Sequence, residues 1–291
     1  MSHLFCFGAG FVARRLAAAL QGDGWQVSGT CRDLAKHVLL QDAGIGPVAF
    51  DGTAALGENA LDGVTHILLS IPPGADGDPV FIHQADTLAD LKTLEWVGYL
   101  SATSVYGDTG GAPVDEDAPL LATTERGKRR IAAERDWLSL FADQGVPVQV
   151  FRLAGIYGPG RSVLDQLRAG SARRIGAPGH LFSRIHVDDI VVILRASMAK
   201  VRPGAVYNLC DDEAAESADV TAFAAELLGI EPPPLVLLEQ ADLSPMARSF
   251  YADNRLIDNR RLKRELDINL HYPDYRAGLR AILAHFVQNP A

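Results

Sequence analysis

Through its first half the chain alternates short runs rich in Val, Ile and Leu with longer amphipathic stretches. The runs at Leu4–Phe7, Gln26–Thr30, Val48–Phe50, His66–Ser70, Val97–Leu100 and Val148–Leu153 are too short for helices and read as strands. Between them, Phe11–Gln21, Pro79–Lys92 and a stretch from Glu125 to Gln144 carry helical spacing. In the last of these, Ile131, Trp137, Leu138 and Phe141 make the apolar stripe. Thr124 stands at its N-cap and Glu125 in its first turn, where an anion meets the positive helix end. Strands alternating with helices in this way predict α/β architecture, a doubly wound parallel sheet.

After residue 154 the alternation loosens. Gly155, Gly158, Pro159, Gly160, Gly170, Gly176, Pro178 and Gly179 interrupt the pattern, and long Gly/Pro-broken connections are where substrate-binding loops are built. A stiff Glu231-Pro232-Pro233-Pro234 break precedes a short apolar run and then a basic helix around Asn259–Glu265. Residues 1–154 thus read as the sheet domain. Residues 155–291 read mainly as a smaller C-terminal substrate lobe with segments returning to the sheet, not as an independent domain.

The first strand runs directly into Gly8-Ala9-Gly10-Phe11-Val12-Ala13. A strand, a glycine-rich turn and a helix in this order form the mechanical part of a dinucleotide site of the Rossmann type. Gly8 permits the tight turn, Gly10 removes the side chain that would block a pyrophosphate, and Ala13 lets the helix lie against its strand. The anion then meets the N–H groups of the helix start, from Phe11 and Val12 onward. Such sites separate NAD from NADP at the end of the second strand, where a carboxylate holds the ribose hydroxyl or an Arg accepts the 2′-phosphate. Here the strand ends at Thr30-Cys31, Arg32 follows, and Lys36 comes one helical turn later, which favours NADP(H) over NAD(H). Asp33 could reach the ribose if the strand ended slightly later, and an Arg and a Lys on a solvated loop is the alternative.

Composition narrows the function classes. A chain of 291 residues that is 48% hydrophobic has room for one large core, or for one core and a lobe. A formal net charge of −9 argues against a nucleic-acid footprint, which needs a clustered basic face. Cys6, Cys31 and Cys210 are far apart and lack metal-binding spacing, so no metal is expected and a reducing cytoplasm fits best. Met1-Ser2-His3 carries no basic leader, and the apolar run Ile190–Leu194 is cut by Arg195, so neither export nor membrane spanning is expected.

Several segments together resemble the extended short-chain dehydrogenase/reductase superfamily, the NAD-dependent epimerase/dehydratase group, over nearly the whole chain. They are the opening fingerprint, Leu100-Ser101-Ala102-Thr103-Ser104-Val105-Tyr106-Gly107, Arg152-Leu153-Ala154-Gly155-Ile156-Tyr157-Gly158-Pro159-Gly160-Arg161, Ile185-His186-Val187-Asp188-Asp189 and the closing Tyr272–Leu279. The resemblance implies a cofactor lined also by Asp51, near the adenine, and by Ser70, Ile71 and Pro72, past which the ribose runs. An acidic turn residue and a Pro-rich turn are their plainer readings. The resemblance also implies frequent pairing of subunits through helices of the sheet domain, hence a possible homodimer.

Members of this superfamily move a hydride with a Ser or Thr, a Tyr acid/base and a Lys four residues after the Tyr, which lowers the phenol's pKa. Aligned on Gly127 and Glu134, this chain has Arg126 in place of the Tyr and Arg130 in place of the Lys, while Ala102 takes the Ser/Thr position. It therefore resembles the atypical branch that keeps the fingerprint and lacks the active-site Tyr. An arginine stays protonated and cannot act as a general acid or base. The substitutes nearest in sequence are Tyr106, Ser104 and Thr103, with packing under the lobe as the plain role for Tyr106. Arg126 and Arg130 share a helix face and suit an anionic substrate or cofactor phosphate; two solvated arginines are the alternative. Arg161, ahead of Arg152, is a candidate for a phosphate-bearing substrate. His186 reads as structural, joining a short strand to a helix near Asp188, and His83 as a lone histidine near a helix start.

These readings converge on a cytoplasmic NADP(H)-binding oxidoreductase or epimerase-like protein acting on a small or nucleotide-linked metabolite. The second reading, from a different class, is a non-catalytic NADP(H) sensor whose occupancy changes partner binding. A nucleotide-sugar epimerase with ordinary chemistry is disfavoured by Arg126.

Overall fold

A computed structural model describes residues 2–288; Met1 lies outside the described residues. The first half delivers the alternation the sequence predicts: β1 (His3–Phe7), α1 (Phe11–Gly22), β2 (Gln26–Cys31), α2 (Leu34–Asp42), β3 (Gly46–Ala49), β4 (His66–Leu69), α3 (Pro79–Asp90) and β5 (Trp96–Ala102). A 3-10 turn at Thr103–Tyr106, α4 (Glu125–Gln144) and the strand Val148–Leu153 continue it. The central sheet has seven strands, in the order Val206–Leu209, Val148–Leu153, β5, β4, β1, β2, β3. β1 pairs in parallel with both β2 and β4, so the winding reverses on either side of it. In open α/β sheets that reversal opens a crevice at the carboxyl end of the strand.

The seventh strand, Val206–Leu209, was not among the six expected. It is four residues long with Asn208 inside it, and a polar residue in so short a run hides the pattern. Asn208 is fully buried because its partners are provided: its N–H donates to Glu116 Oε1 at 2.8 Å, its Nδ2 donates to the Asp258 carbonyl, and its Oδ1 accepts from Tyr106. Elsewhere boundaries move by a residue or two. The third strand runs Gly46–Ala49, α3 stops at Asp90, and the basic helix runs Arg260–Leu266 with Asn259 as its N-cap.

The chain divides into two compact units. The first comprises residues 1–105, 122–152 and 191–207. Its core gathers Phe5, Phe7, Ile67, Tyr99, Trp137 and Val150 with their neighbours. On β5 the Trp96 ring lies across Gly98, where any Cβ would collide with it. α4 is anchored as the sequence expects, with Thr124 Oγ1 accepting from Gly127 N–H at 3.2 Å. A buried ion pair then ties it to the sheet: Arg152 Nη2 and Nε donate to Glu134 Oε2 at 2.8 and 3.1 Å, and Ser101 donates its hydroxyl to the same carboxylate. Both charged side chains are at least 95% buried, at 5% and 2% exposure.

The second unit comprises residues 106–121, 153–190 and 208–291. Three short parallel strand pairs frame it: Gly155–Tyr157 with Arg184–His186, Arg174–Gly176 with Leu235–Leu237, and Pro113–Val114 with Leu256–Ile257. Tyr157, Leu164, Ala224, Tyr275, Leu279 and Ile282 form its core.

Removing one partner of a buried ion pair strands the other charge in a low dielectric. Glu134→Gln is expected to lower the unfolding free energy by about 3 kcal/mol, read from urea denaturation with an unchanged slope. A loss of less than about 1 kcal/mol would show that α4 is held by apolar packing alone.

Candidate functional site

The turn after β1 is held from both sides. Gly8 N–H donates to Thr30 Oγ1 at 2.8 Å, Ala9 N–H donates to the Thr30 carbonyl at 3.2 Å, and Ser70 Oγ donates to the Gly8 carbonyl at 2.6 Å. Thr30 belongs to β2, and Ser70 directly follows β4. Gly8 has φ +90°, and a Cβ on it would fall 2.9 Å from Ser70 Oγ and 3.0 Å from Ile71 Cγ1. No other residue fits there without strain.

Gly10 stands in a different setting. It is the N-cap of α1 with φ −82°, a conformation open to any residue, and a Cβ on it would meet nothing within 4 Å. No side chain caps the helix. The first N–H groups of an α-helix lack intrahelical acceptors, and together with the macrodipole they form an anion site. The space in front of Gly10 and the uncapped helix start fit a dinucleotide pyrophosphate. Val12 and Ala13 are buried beneath this mouth and bring their peptide groups to it, and Phe11 is half-buried.

At the end of β2, Arg32 and Lys36 are exposed. Asp33 is spent as the N-cap of α2, its Oδ1 accepting from Ala35 N–H at 2.9 Å. Asp51, past the end of β3, accepts from both the N–H and the hydroxyl of Thr53 at 2.9 and 2.7 Å. These bonds hold its pKa below the usual carboxylate value. Ile71 is half-buried and Pro72 exposed beyond β4.

The segment that bears the superfamily's catalytic groups lies in the same unit. Ala102 ends β5, Thr103 is buried and Ser104 half-buried in the following turn. The Ser104 hydroxyl has no hydrogen-bond partner. Gly127 lets the start of α4 press against this turn, since a Cβ would come 3.0 Å from the Ser104 carbonyl. Arg126 is exposed at the helix start. Arg130 is half-buried; one of its terminal nitrogens donates to the Leu100 carbonyl at 3.0 Å, and its Nε is unpartnered. Arg152 is committed to Glu134. His83 is half-buried on α3.

In the second unit, Tyr106 is fully buried, and its hydroxyl donates to Asn208 Oδ1 at 2.6 Å. A cleft of about 470 Å³ is lined by residues 155–157, 160–163, 165, 166 and 184, among them Arg161 and Arg184. That volume suits a small metabolite or part of a larger one. Burial lowers the Arg184 pKa from its ordinary value, raises that of Tyr157 and pushes Asp211 up to about 8, with the Arg184 charge opposing the last shift. His186 is buried with Nδ1 accepting from Asp188 N–H at 3.2 Å, which continues the strand Arg184–His186 into a helix. The sequence reading missed Arg184 and Asp211. An Arg between Ser183 and Ile185 and an Asp in an acidic run both look solvated, and only the fold shows the first half-buried and the second buried.

Among the described residues no group of three His, Cys, Asp or Glu side chains is placed to hold a metal ion, and no helix is long and apolar enough to cross a membrane.

Comparison with known proteins agrees with this geometry. The model of the family described as NAD dependent epimerase/dehydratase matches residues 8–210. Protein YeeZ of Escherichia coli (strain K12) is 26% identical over 284 residues, covering 94% of this chain and 97% of that one. A solved structure of a functionally unknown conserved protein from Silicibacter pomeroyi DSS superposes with a TM-score of 0.91 at 48% identity, over 98% of this chain and 99% of the other. dTDP-glucose 4,6-dehydratase from Bacillus anthracis str. Ames, solved in complex with NAD, superposes with a TM-score of 0.80 at 18% identity, covering 99% and 97%, a likeness of fold.

The two glycines separate folding from binding. Gly10→Ala is expected to leave the melting temperature within a degree or two and to weaken NAD(P)H binding at least about tenfold, measured by calorimetric titration. Gly8→Ala is expected to lower the melting temperature itself. Undiminished cofactor affinity in Gly10→Ala would remove the helix mouth as the pyrophosphate site.

Proposed function

Because the chain belongs to the NAD dependent epimerase/dehydratase family, we propose that it is an NADP(H)-dependent oxidoreductase or epimerase-like enzyme acting on a small, nucleotide-linked metabolite. The observation that carries the cofactor half is the end of β2. The carboxylate that directly follows it, Asp33, is consumed in capping α2, while Arg32 and Lys36 remain at the surface. A guanidinium suits a 2′-phosphate, with two N–H donors in fork geometry. The uncapped mouth at Gly10 would hold the pyrophosphate, and Ser70, Ile71 and Pro72 would flank the ribose. Asp51 would face the adenine, in line with the carboxylate character that its Thr53 bonds preserve. When bound, the nicotinamide would supply a hydride donor or acceptor.

For the substrate half, the fold relative that acts on dTDP-glucose supports a nucleotide-linked ligand. In the second unit Arg161 stands on the wall of a cleft of suitable volume. Arg126, exposed at the start of α4, would add a positive charge for a substrate oxyanion. Ser104, whose hydroxyl is uncommitted, would orient a substrate oxygen with Thr103 beside it. Tyr106 is not a good acid/base in this reading, since its phenol is buried and already bonded to Asn208.

That last point favours the second reading, a sensor that binds NADP(H) without turning it over. With Arg126 where the superfamily has its phenol and Tyr106 occupied, no proton-transfer group replaces the missing Tyr among the sequence candidates.

Calorimetric titration with NADPH and NADH tests the cofactor. NADPH is expected to bind about tenfold tighter, and Arg32→Ala is expected to abolish that difference while leaving NADH affinity unchanged. Equal or stronger NADH binding by the unaltered protein would overturn the NADP(H) assignment. Nicotinamide absorbance together with chromatographic analysis of the sugar products, followed with NADP and a panel of nucleotide sugars, then separates the enzyme, which reduces the cofactor or converts a sugar while returning the hydride, from the sensor, which only binds.

A further inference from the structure

Residues 242–253 lie on the second unit with little of their surface buried. Of residues 242–250 only Leu243 and Ala247 are not exposed, and the short helix Pro245–Ser249 buries no residue. Met246 and Phe250 are 66% and 51% exposed. Hydrogen bonds here turn inward: Ser244 Oγ accepts from Ala247 N–H, the Ser249 hydroxyl donates to the Met246 carbonyl, and Arg248 donates to the Ala241 carbonyl at 2.8 Å. Bonds of this kind keep the shape of the segment but do not hold it down.

Both ends are tied. At the first, the Asp242 carbonyl accepts from Arg173. At the second, Asn254 joins two loops: its N–H donates to Asp108 Oδ1 at 2.8 Å, its carbonyl accepts from the N–H groups of Thr109 and Gly111 at 3.1 and 2.9 Å, and its Nδ2 donates to the Gly179 carbonyl at 3.0 Å. Arg255 adds a bond to the Gly107 carbonyl at 2.9 Å. Between these ends the segment is seated by Tyr251. Its ring stands edge-on to Phe182 at 5.1 Å and lies 5.5 Å from the ring of His180, which is itself 4.6 Å from Phe182. Such ring pairs add only modestly to apolar burial, so a clasp of three rings is easily unseated.

One of the three can acquire a charge. His180 is half-buried, and its Nε2 is buried and has no hydrogen-bond partner among the described residues. A neutral imidazole leaves that nitrogen as an unused acceptor, whereas an imidazolium needs an acceptor for each N–H and water for its charge. The carboxylates that face it are committed elsewhere, Asp253 to Arg255 at 2.9 Å and Asp108 to the N–H groups of Gly110 and Asn254. Glu216 is bonded to Gly179 N–H, the Arg184 guanidinium lies 5.7 Å from the centre of the Phe182 ring, and the Phe250 peptide group faces the imidazole. Burial, with the Arg255 charge beside it, holds the His180 pKa below its ordinary value against the pull of Asp108 and Asp253, so the seated ring is neutral at pH 7. The attraction of a cation to neighbouring rings is smaller than the cost of desolvating a charge that lacks an acceptor.

We propose that residues 242–253 form an acid-released strap: His180 is the latch, and protonation of its ring breaks the clasp with Phe182 and Tyr251 and lifts the segment about Asn254, which stays in place as the hinge. The direction follows from linkage. The ring is held neutral while the strap is seated and regains a pKa of about 6.5 once it is lifted, so lifting takes up a proton and is favoured as the pH falls. Lifting uncovers the rings of His180 and Phe182, an apolar surface that the strap covers at pH 7. The device is independent of the cofactor and substrate readings and stands whether or not the chain turns over NADP(H).

Hydrogen exchange of the full chain, followed by mass spectrometry and divided by the intrinsic rate at each pH, reads the lifting directly. For the unaltered chain, protection of the amides in residues 246–252 is expected to fall about fivefold from pH 7.5 to pH 5.5, while that of β5 stays constant. His180→Phe keeps a ring that cannot ionise and His180→Gln keeps a polar group that cannot; both are expected to lose the fall. Tyr251→Ala, which removes the seat, is expected to show low protection at both pH values. If circular dichroism shows that His180→Phe has not folded, His180→Gln decides by the same criterion. Equal protection of the unaltered chain at the two pH values, a fall retained in a folded His180 variant, or full protection in Tyr251→Ala overturns the proposal.

Discussion

The turn at Gly8 fixes the position of the open helix start on which any dinucleotide site in this part of the chain would depend. Two hydroxyls from the strands on either side of β1, Thr30 and Ser70, converge on one residue whose φ of +90° excludes a side chain. Each bond contributes about 1 kcal/mol to stability, no more than an ordinary one. Their larger effect is geometric, because the entry angle of α1 and hence the direction of its N–H groups are set by a peptide unit that cannot rotate. The winding of the sheet explains why this happens at β1 and nowhere else. Only there do neighbouring strands diverge to opposite sides and leave room above the strand end.

This part of the molecule was legible from residue types because the requirement is local. A glycine at φ +90° and a glycine facing open space are both fixed by a few adjacent residues, and six strands could be placed from their apolar runs. The strand Val206–Leu209 was not legible, since Asn208 is buried on the strength of partners at Tyr106, Glu116 and Asp258, all distant along the chain. The same limit hid Arg184 and Asp211. A charged residue is read as solvated unless its surroundings are known, and those surroundings come from the 153–190 and 208–291 segments folding together within one unit.

The α4 face shows how one exposed residue can set the available chemistry without disturbing the frame. Arg126, Arg130 and Glu134 follow at intervals of four and so lie along one side of the helix. Glu134 is locked to Arg152 and Ser101 and belongs to the frame, while Arg130 reaches the Leu100 carbonyl on β5. Only the first of the three is exposed. A permanent cation there can stabilise negative charge on an oxygen but cannot deliver a proton to it, so any turnover would draw its proton from water or from the substrate itself.

The distribution of charge sharpens the same point. The chain as a whole carries a formal net charge of −9, which opposes the approach of anionic ligands at long range. Any affinity for phosphates would therefore have to come from short-range groups that have lost their water or are held in a fixed direction. In one unit the candidates are the peptide dipoles of α1 with Arg32 and Lys36; in the other they are Arg161 and the half-buried Arg184. A guanidinium out of water interacts far more strongly than one on a solvated loop, since the effective dielectric around it is lower. Arg161 is exposed and its charge is screened by salt, whereas Arg184 is half-buried and its charge is partly withdrawn from water by the segments around it.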